Sequence, residues 1–455
     1  MQNSQLQKEL AMSAVHAREQ VIRQNSPQTK ESALNSGVQT NFTRRVARVS
    51  QSRKIMTHED VISTDNMKLV GKQTQITAAF FDKLIKHKLL KPLENSLTIE
   101  GCINAEELVR NFNSLDEHSL VVKAMQADVD NRKHIFQLLR SMPLPAPLSF
   151  KLSILREEMP ETYLHSLIVA YISVNIGIHI GLEPDALVEL ANAGLFHDIA
   201  VLHLDNDVFA YNSPISYEQR KQVYAHPLIA ALMLKEFPGF AKISLAIEQH
   251  HERLDGSGYP RGLASEQISL YGQILALAEL AASLETIKSP FSYQTRLMTA
   301  LRFNSEHYPL LLKNLLSKLN YQCNTHSIRK LEQATFIKQL NYLWLVFDNW
   351  YAQNLCYDLS AKEAIDFVSA NVERLKHALT SSGLSLNVID MDVREIDMIL
   401  EDPEEIPAIL AEAQYQLINI VHEVKRRWPR HAVSGGESTA LMKWIDAIER
   451  LKPHI

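Results

Sequence analysis

The residues able to do chemistry sit in a few short segments. ETYLHSLIVAYI carries His165, HDIAVLHLD opens on His197 and Asp198, AHPLIAALML holds His226, and QHHERLDGSGYPRGL holds His250 and His251. Burying polar side chains costs free energy unless hydrogen bonds or a metal satisfy them, so imidazoles and carboxylates gathered on apolar helical stretches point to metal binding. His197 and Asp198 are neighbours and diverge by about 100° on a helix. They can therefore share one ion only at a helix end, or span two ions with the carboxylate between them. His250 and His251 repeat that adjacency, and Glu161 lies one turn ahead of His165 on the same face. Nitrogen and oxygen donors without thiolates suit iron or manganese first, admit zinc, and remove a structural zinc site. His179 and His203 read as hydrogen-bonded or surface residues outside this set.

The stretch DGSGYP follows the paired histidines directly. Gly256 and Gly258 allow backbone conformations closed to other residues, and Pro260 fixes its own φ. The segment therefore reads as a tight loop that holds Tyr259 beside the metals and can wall a substrate site.

The elements that must position these groups are mainly helical. The chain has 455 residues, enough for roughly three domains. Its apolar content is 46%, charged residues make up 22% and the net charge is −5, a balance that offers no general attraction to nucleic acid or membrane surfaces. Three cysteines without CxxC spacing support neither a disulfide framework nor a zinc ribbon, and a reducing cytoplasm fits best. The most apolar run, 164–182, is interrupted by His165, Asn175 and His179, so no membrane span is expected.

Residues 1–55 are polar, end in TRRVARVSQSRK, and read as a mobile tail. Its cluster of Arg44, Arg45, Arg48, Arg53 and Lys54 offers charge to an acidic partner. Residues 56–145 show short strand-like pieces and a helix opening near Thr77, a pattern for a small mixed accessory domain that the prolines of MPLPAPLS separate from the next unit. Residues 150–320 read as successive helices carrying all the motifs. Residues 330–455 read as a helical extension. In it Trp344, Phe347 and Tyr351 share a face, Ser360 and Glu363 form a capping box, and a last amphipathic helix follows Ser434-Gly435-Gly436.

Taken together, the HD pair, the HP histidine and HHERLDGSGYPRGL resemble the HD-GYP family, a branch of the HD superfamily of metal-dependent phosphohydrolases whose members hydrolyse the bacterial second messenger cyclic di-GMP. The resemblance covers about residues 150–320 and implies a predominantly helical domain. By position it implies a metal-ligand set of His165, His197, Asp198, His226, His250 and His251, with Asp198 the catalytic carboxylate bridging two divalent ions. Glu279 stands where the family has aspartate, and Glu161 stands where three-metal members carry a glutamate. Tyr259 and Arg261 would line the substrate entrance. HDIAV departs from the family's HDIGK, so Val201 replaces the lysine that contacts substrate phosphate.

The resemblance implies a bacterial signalling enzyme that opens cyclic di-GMP to the linear dinucleotide or GMP. The loss of the lysine keeps alive a catalytically impaired module that binds nucleotide, or a regulatory protein through the GYP loop or the helical extension. A related phosphohydrolase acting on another nucleotide is a third reading. Apolar helix faces also suit an oligomer.

Overall fold

The computed structural model describes residues 41–77, 80, 84, 87–126, 128–204, 217–286, 291–304, 306–309, 333–353, 362–382, 384, 405–428 and 440–449. Within them are fifteen α-helices and two small two-stranded sheets, so the fold is predominantly helical. The described residues fall into two compact units, one within Met1–Thr286 and Glu306–Asn320, the other within Ile287–Ser305 and Tyr321–Ile455.

The first unit opens with helix α1, Asn41–Val49. The mobile-tail reading therefore fails for the stretch from residue 41 onward, while residues 1–40 lie outside the described residues. The reason is local: Phe42, Val46 and Val49 recur at spacings of four and three and are all buried, a stripe hidden in a basic sequence. The basic cluster is largely spent inside the chain. Arg48 pairs with Glu158, Arg53 with Glu157, and Arg45 is itself buried.

The strand-like pieces are β1 (Ile55–Thr57), β2 (Val61–Ile62), β3 (Lys68–Val70) and β4 (Leu97–Ile99). β1 pairs antiparallel with β4, with Ile55 opposite Ile99, and β2 pairs with β3. Of the helix expected near Thr77, Phe80 and Leu84 are helical, and Phe81 and Ile85 lie outside the described residues. Helices α2 (Ala105–Asn113), α3 (Leu120–Gln126) and α4 (Val129–Ser141) complete this part. They belong to the same compact unit as the motif helices, so the prolines before residue 148 end a helix without dividing two bodies. Pro147 instead sits in the first turn of α5 (Ala146–Glu158), where its missing N–H costs nothing.

The site is built on α6 (Pro160–His179), α7 (Pro184–Phe196), α8 (Tyr217–Lys235), α9 (Ala241–Gln249) and α10 (Leu270–Thr286). α6 is apolar on nearly every side and is packed by α5, α7 and α10, which makes it the central helix. Gly194 permits the closest of these approaches: a Cβ there would lie 2.4 Å from the Ala170 Cα, so α7 rests on α6 backbone to backbone.

In the second unit, α11 (Tyr293–Phe303), α12 (Gln333–Gln353), α13 (Lys362–Ser381), α14 (Glu405–Arg427) and α15 (Ala440–Glu449) share one apolar core. Trp344 and Phe347 are buried in it with Trp350, and Tyr351 packs at its edge. Ile365, Val368, Val372, Leu375 and Leu379 of α13 and Leu441, Trp444, Ile445 and Ile448 of α15 complete the set. The aromatic stripe is thus core. Ser360 of the expected capping box and Ser434-Gly435-Gly436 lie outside the described residues. α11 was expected in the motif domain of residues 150–320, yet its Phe303 joins this core and its Arg302 pairs with Glu405, so the compact units divide ahead of it.

Candidate metal centre

Five helices each deliver donors to one place. His165 comes from the second turn of α6, His197 follows the last residue of α7, His226 lies midway along α8, His250 and His251 follow α9, and Glu279 lies on α10. Three groups of three lie with their donor atoms within 4.8 Å of one another: His165, His197 and Glu279; His197, Asp198 and His250; and His226, His250 and His251. The groups share members, so the set is one continuous cluster.

Three of the histidines use the same device. The Nδ1–H of His197 donates to the Gly194 carbonyl (2.8 Å), that of His226 to Val223, and that of His250 to Ile247 (2.6 Å), in each case three residues back. A ring whose Nδ1 is held this way turns Nε2 and its lone pair toward the cluster. The His226 and His250 Nε2 atoms are 3.3 Å apart. His197 Nε2 is buried without a hydrogen-bond partner among the described residues, yet lies 3.2 Å from Glu279 Oε2 and 3.3 Å from Asp198 Oδ2.

Asp198 faces two ways. Its Oδ2 addresses His197 and its Oδ1 lies 3.2 Å from His226 Nε2, an arrangement in which one carboxylate serves two groups of imidazoles. Glu279 Oε2 lies 2.8 Å from His165 Nε2, while its other oxygen accepts from Ser283 Oγ at 2.6 Å. The longer side chain, in place of the family's aspartate, thus reaches the cluster and is steadied by a serine one turn on.

The electrostatics are those of a cation site. Burial opposes a charged His197, but Asp198 and Glu279 hold its ring well above the ordinary imidazole range. Burial also opposes both carboxylates, yet His197 and His226 hold Asp198, and His165 and His197 hold Glu279, well below the usual carboxylate range. Burial, then His197 and His226, lowers His250 to about 3, and burial lowers His251 well below its usual value. Two ionised carboxylates demand positive charge between them, and two neutral imidazoles keep lone pairs to offer. The donor set fits divalent metal ions.

The GYP loop flanks the cluster. Tyr259 stacks on His251 with ring centres 4.6 Å apart and meets Tyr224 edge-on at 4.7 Å, and burial pushes its phenol well above the usual range. Gly258 is required by close approach, because a Cβ would lie 2.5 Å from the His251 carbonyl; Gly256 takes a φ of +76°. The Tyr259–Pro260 peptide is cis. The loop has an anchor that reading the sequence missed: buried Glu252 accepts the backbone N–H groups of Arg261 (2.7 Å) and Leu263 (2.8 Å). Its position directly after the paired histidines was the available signal.

Two expected residues stand apart. Glu161 is exposed at the start of α6 and belongs to none of the three donor groups. Arg261 is exposed and pairs with Glu248 at 3.2 Å. Val201 and Ala200 are buried at 1% and 0% exposure in a 3₁₀ turn, Ile199–His203, so the family's lysine position holds core side chains here. His179 Nδ1 donates to the Asn175 carbonyl, as expected of a residue outside the cluster.

The HD domain family matches residues 151–303, a span containing every donor of the cluster. The chain carries an HD-GYP family domain. A cyclic di-GMP phosphodiesterase of Borreliella burgdorferi, PdeB, is 29% identical over 121 residues, 27% of this chain and 32% of that protein. The cyclic di-GMP phosphodiesterase PA4108 of Pseudomonas aeruginosa is 34% identical over 121 residues, 26% and 29% of the two chains. A 3′3′-cGAMP-specific phosphodiesterase of Vibrio cholerae is 31% identical over 123 residues, 27% and 28%. The chain spans about a third of the length of these curated relatives. Among the described residues no helix is long and apolar enough to cross a membrane.

Proposed function

We propose that the HD-GYP domain hydrolyses a phosphodiester bond of a cyclic dinucleotide, cyclic di-GMP first, to the linear dinucleotide or GMP. The observation that carries this reading is the Asp198 carboxylate set between two groups of imidazoles. His165, His197, Asp198 and Glu279 would hold one divalent ion, and Asp198, His226, His250 and His251 a second, with iron or manganese suited to the donors. Bound ions supply a water of lowered pKa and neutralise charge on the nonbridging phosphoryl oxygens.

The protein's own residues do the rest. The Nδ1 anchors of His197, His226 and His250 preset the lone pairs, so little reorganisation accompanies each reaction. Asp198 holds the two groups of donors in register. The Tyr259 ring, stacked on His251, forms an apolar wall against which a nucleobase can lie. Glu252 keeps that wall in place through the loop backbone. Glu161 is exposed and belongs to none of the three donor groups, so two ions are the favoured count.

Val201 supports a second reading. With no lysine at that position, the domain lacks one phosphate contact, and a module that binds nucleotide without turning it over follows if the remaining groups do not compensate. Incubation of manganese- or iron-loaded protein with cyclic di-GMP, followed by chromatography for linear product, tests both. Metal-dependent product formation is expected. Retained metal and tight nucleotide binding without product would sink the enzyme reading in favour of the module, and product only from 3′3′-cGAMP would move the substrate.

A further inference from the structure

Helix α1 and the turn after Asp198 are joined by contacts that the proposed metal chemistry does not use. From one face of α1, the Asn41 side-chain amide donates to the His203 carbonyl (3.3 Å), and the Phe42 ring stacks on the His203 imidazole at 5.0 Å. One turn further on, the Arg45 guanidinium donates to the carbonyls of Val201 (3.5 Å) and Leu204 (3.4 Å). Three carbonyls of a single turn thus accept from one helix. The Val201 carbonyl also accepts the Leu204 N–H (3.2 Å), and a cation at the end of a short helical turn meets the negative end of the aligned backbone dipoles.

Arg45 has a second neighbour. Its guanidinium lies 4.0 Å from the carboxylate of Glu158, the last residue of α5, which runs through Met159 into the helix carrying His165. On the other side, the Val201 N–H donates to the Asp198 carbonyl at 2.9 Å. A residue only 3% exposed therefore touches both segments that deliver donors to the cluster, one leading to His165 and one closing on Asp198. Stability gives little reason for this arginine. Its Nε lacks a hydrogen-bond partner among the described residues, and burying a cation beside one carboxylate is commonly no better than burying an apolar side chain.

We propose that Arg45 is a positioning residue for the metal centre: α1 holds the turn after Asp198 and the start of α6 at a fixed separation, and so sets the affinity of the cluster for divalent ions. The proposal rests on reading the cluster as a metal site, and its test separates the two. Manganese(II) is titrated calorimetrically into the metal-free full-length protein, its Arg45→Met variant and an Arg48→Met control. Arg48 also pairs with Glu158 but is 47% exposed and makes none of the carbonyl contacts.

Arg45→Met is expected to bind manganese about tenfold more weakly with unchanged helix content, the low end of the effect seen for groups that orient ligands; Arg48→Met should stay within about twofold of the parent. Equal affinity in parent and Arg45→Met, or an equal loss in Arg48→Met, overturns the proposal. Should Arg45→Met fail to fold, Asn41→Ala carries the test, with a loss of about threefold expected for one deleted hydrogen bond and no change refuting it. A parent protein that takes up no divalent ion overturns the metal reading itself, a result distinct from equal binding by parent and variant.

Discussion

The HD-GYP domain and the C-terminal helical unit both bury large parts of amphipathic helices, and they fill their interiors with opposite chemistry. In the helical unit the interior is Trp344, Phe347, Trp350 and Trp444 with aliphatic neighbours; the Trp350 indole donates to Ser369 and that of Trp444 to the Val346 carbonyl, while the buried Trp344 Nε1 has no hydrogen-bond partner among the described residues. In the HD-GYP domain the interior between α6, α7, α8, α9 and α10 is imidazole and carboxylate, and His197 Nε2 is left facing two carboxylates. An apolar core is held by area and volume, so it tolerates exchange among similar shapes and loses stability gradually. A cluster of donors is held by direction and charge, and removing one member leaves the others uncompensated.

Asp198→Ala should break that comparison most sharply. Loss of the carboxylate that serves both imidazole groups is expected to abolish manganese binding at both proposed positions and to lower any phosphodiesterase turnover by at least about a thousandfold. Metal analysis on the folded variant checks it, and a full complement of ions would refute the shared role. In the other interior, Trp350→Ala is expected to cost about 3–5 kcal/mol by denaturant unfolding while leaving manganese content untouched, because the change removes packing only. A parallel loss of metal would blur the distinction.

Val201→Lys tests the boundary between the two kinds of interior. At 1% exposure the new ammonium would be buried, so a loss of roughly 2–4 kcal/mol is expected without a gain in turnover. A large rate increase in a stable variant would instead show that the side chain reaches the substrate. The smallest expected effect concerns His203, whose imidazole is lowered to about 4, chiefly by burial and then by Lys151. Because the folded state then binds its proton less readily than the unfolded state, stability falls as pH drops through the unfolded value near 6.5 toward 4. His203→Phe should therefore remove about 2 kcal/mol of the destabilisation that the parent suffers between pH 7.5 and pH 5, measured by urea unfolding at each pH.

Much of the donor set was legible beforehand because its residue types are out of place. Histidines within apolar stretches such as ETYLHSLIVAYI and paired ahead of DGSGYP stand out whatever the fold. Glu279 was reached through the family resemblance, since a glutamate in QILALAE carries no signal of its own. Ser283, Glu252 and Arg45 were not legible, since each acts through a contact that a one-dimensional pattern does not display: a helical neighbour's carboxylate, the N–H groups of a loop, or carbonyls more than 150 residues away. The misread tail has the same origin. Its stripe of Phe42, Val46 and Val49 was present, but the four arginines around it made the segment look solvated.

By itself the sequence determined that the protein is helical, that its donors are nitrogen and oxygen, and that a glycine-rich loop follows the paired histidines. Helical periodicity and side-chain chemistry are local properties and survive without coordinates. The tertiary structure alone decided which donors meet, since His165 and Glu279 are 114 residues apart and come within 2.8 Å only because α6 and α10 pack together. It also decided that Glu161 stays exposed and that Arg45 is drawn inward. Residues a turn apart on one helix can lie on opposite sides of a packing boundary, and spacing along the chain does not say where that boundary falls.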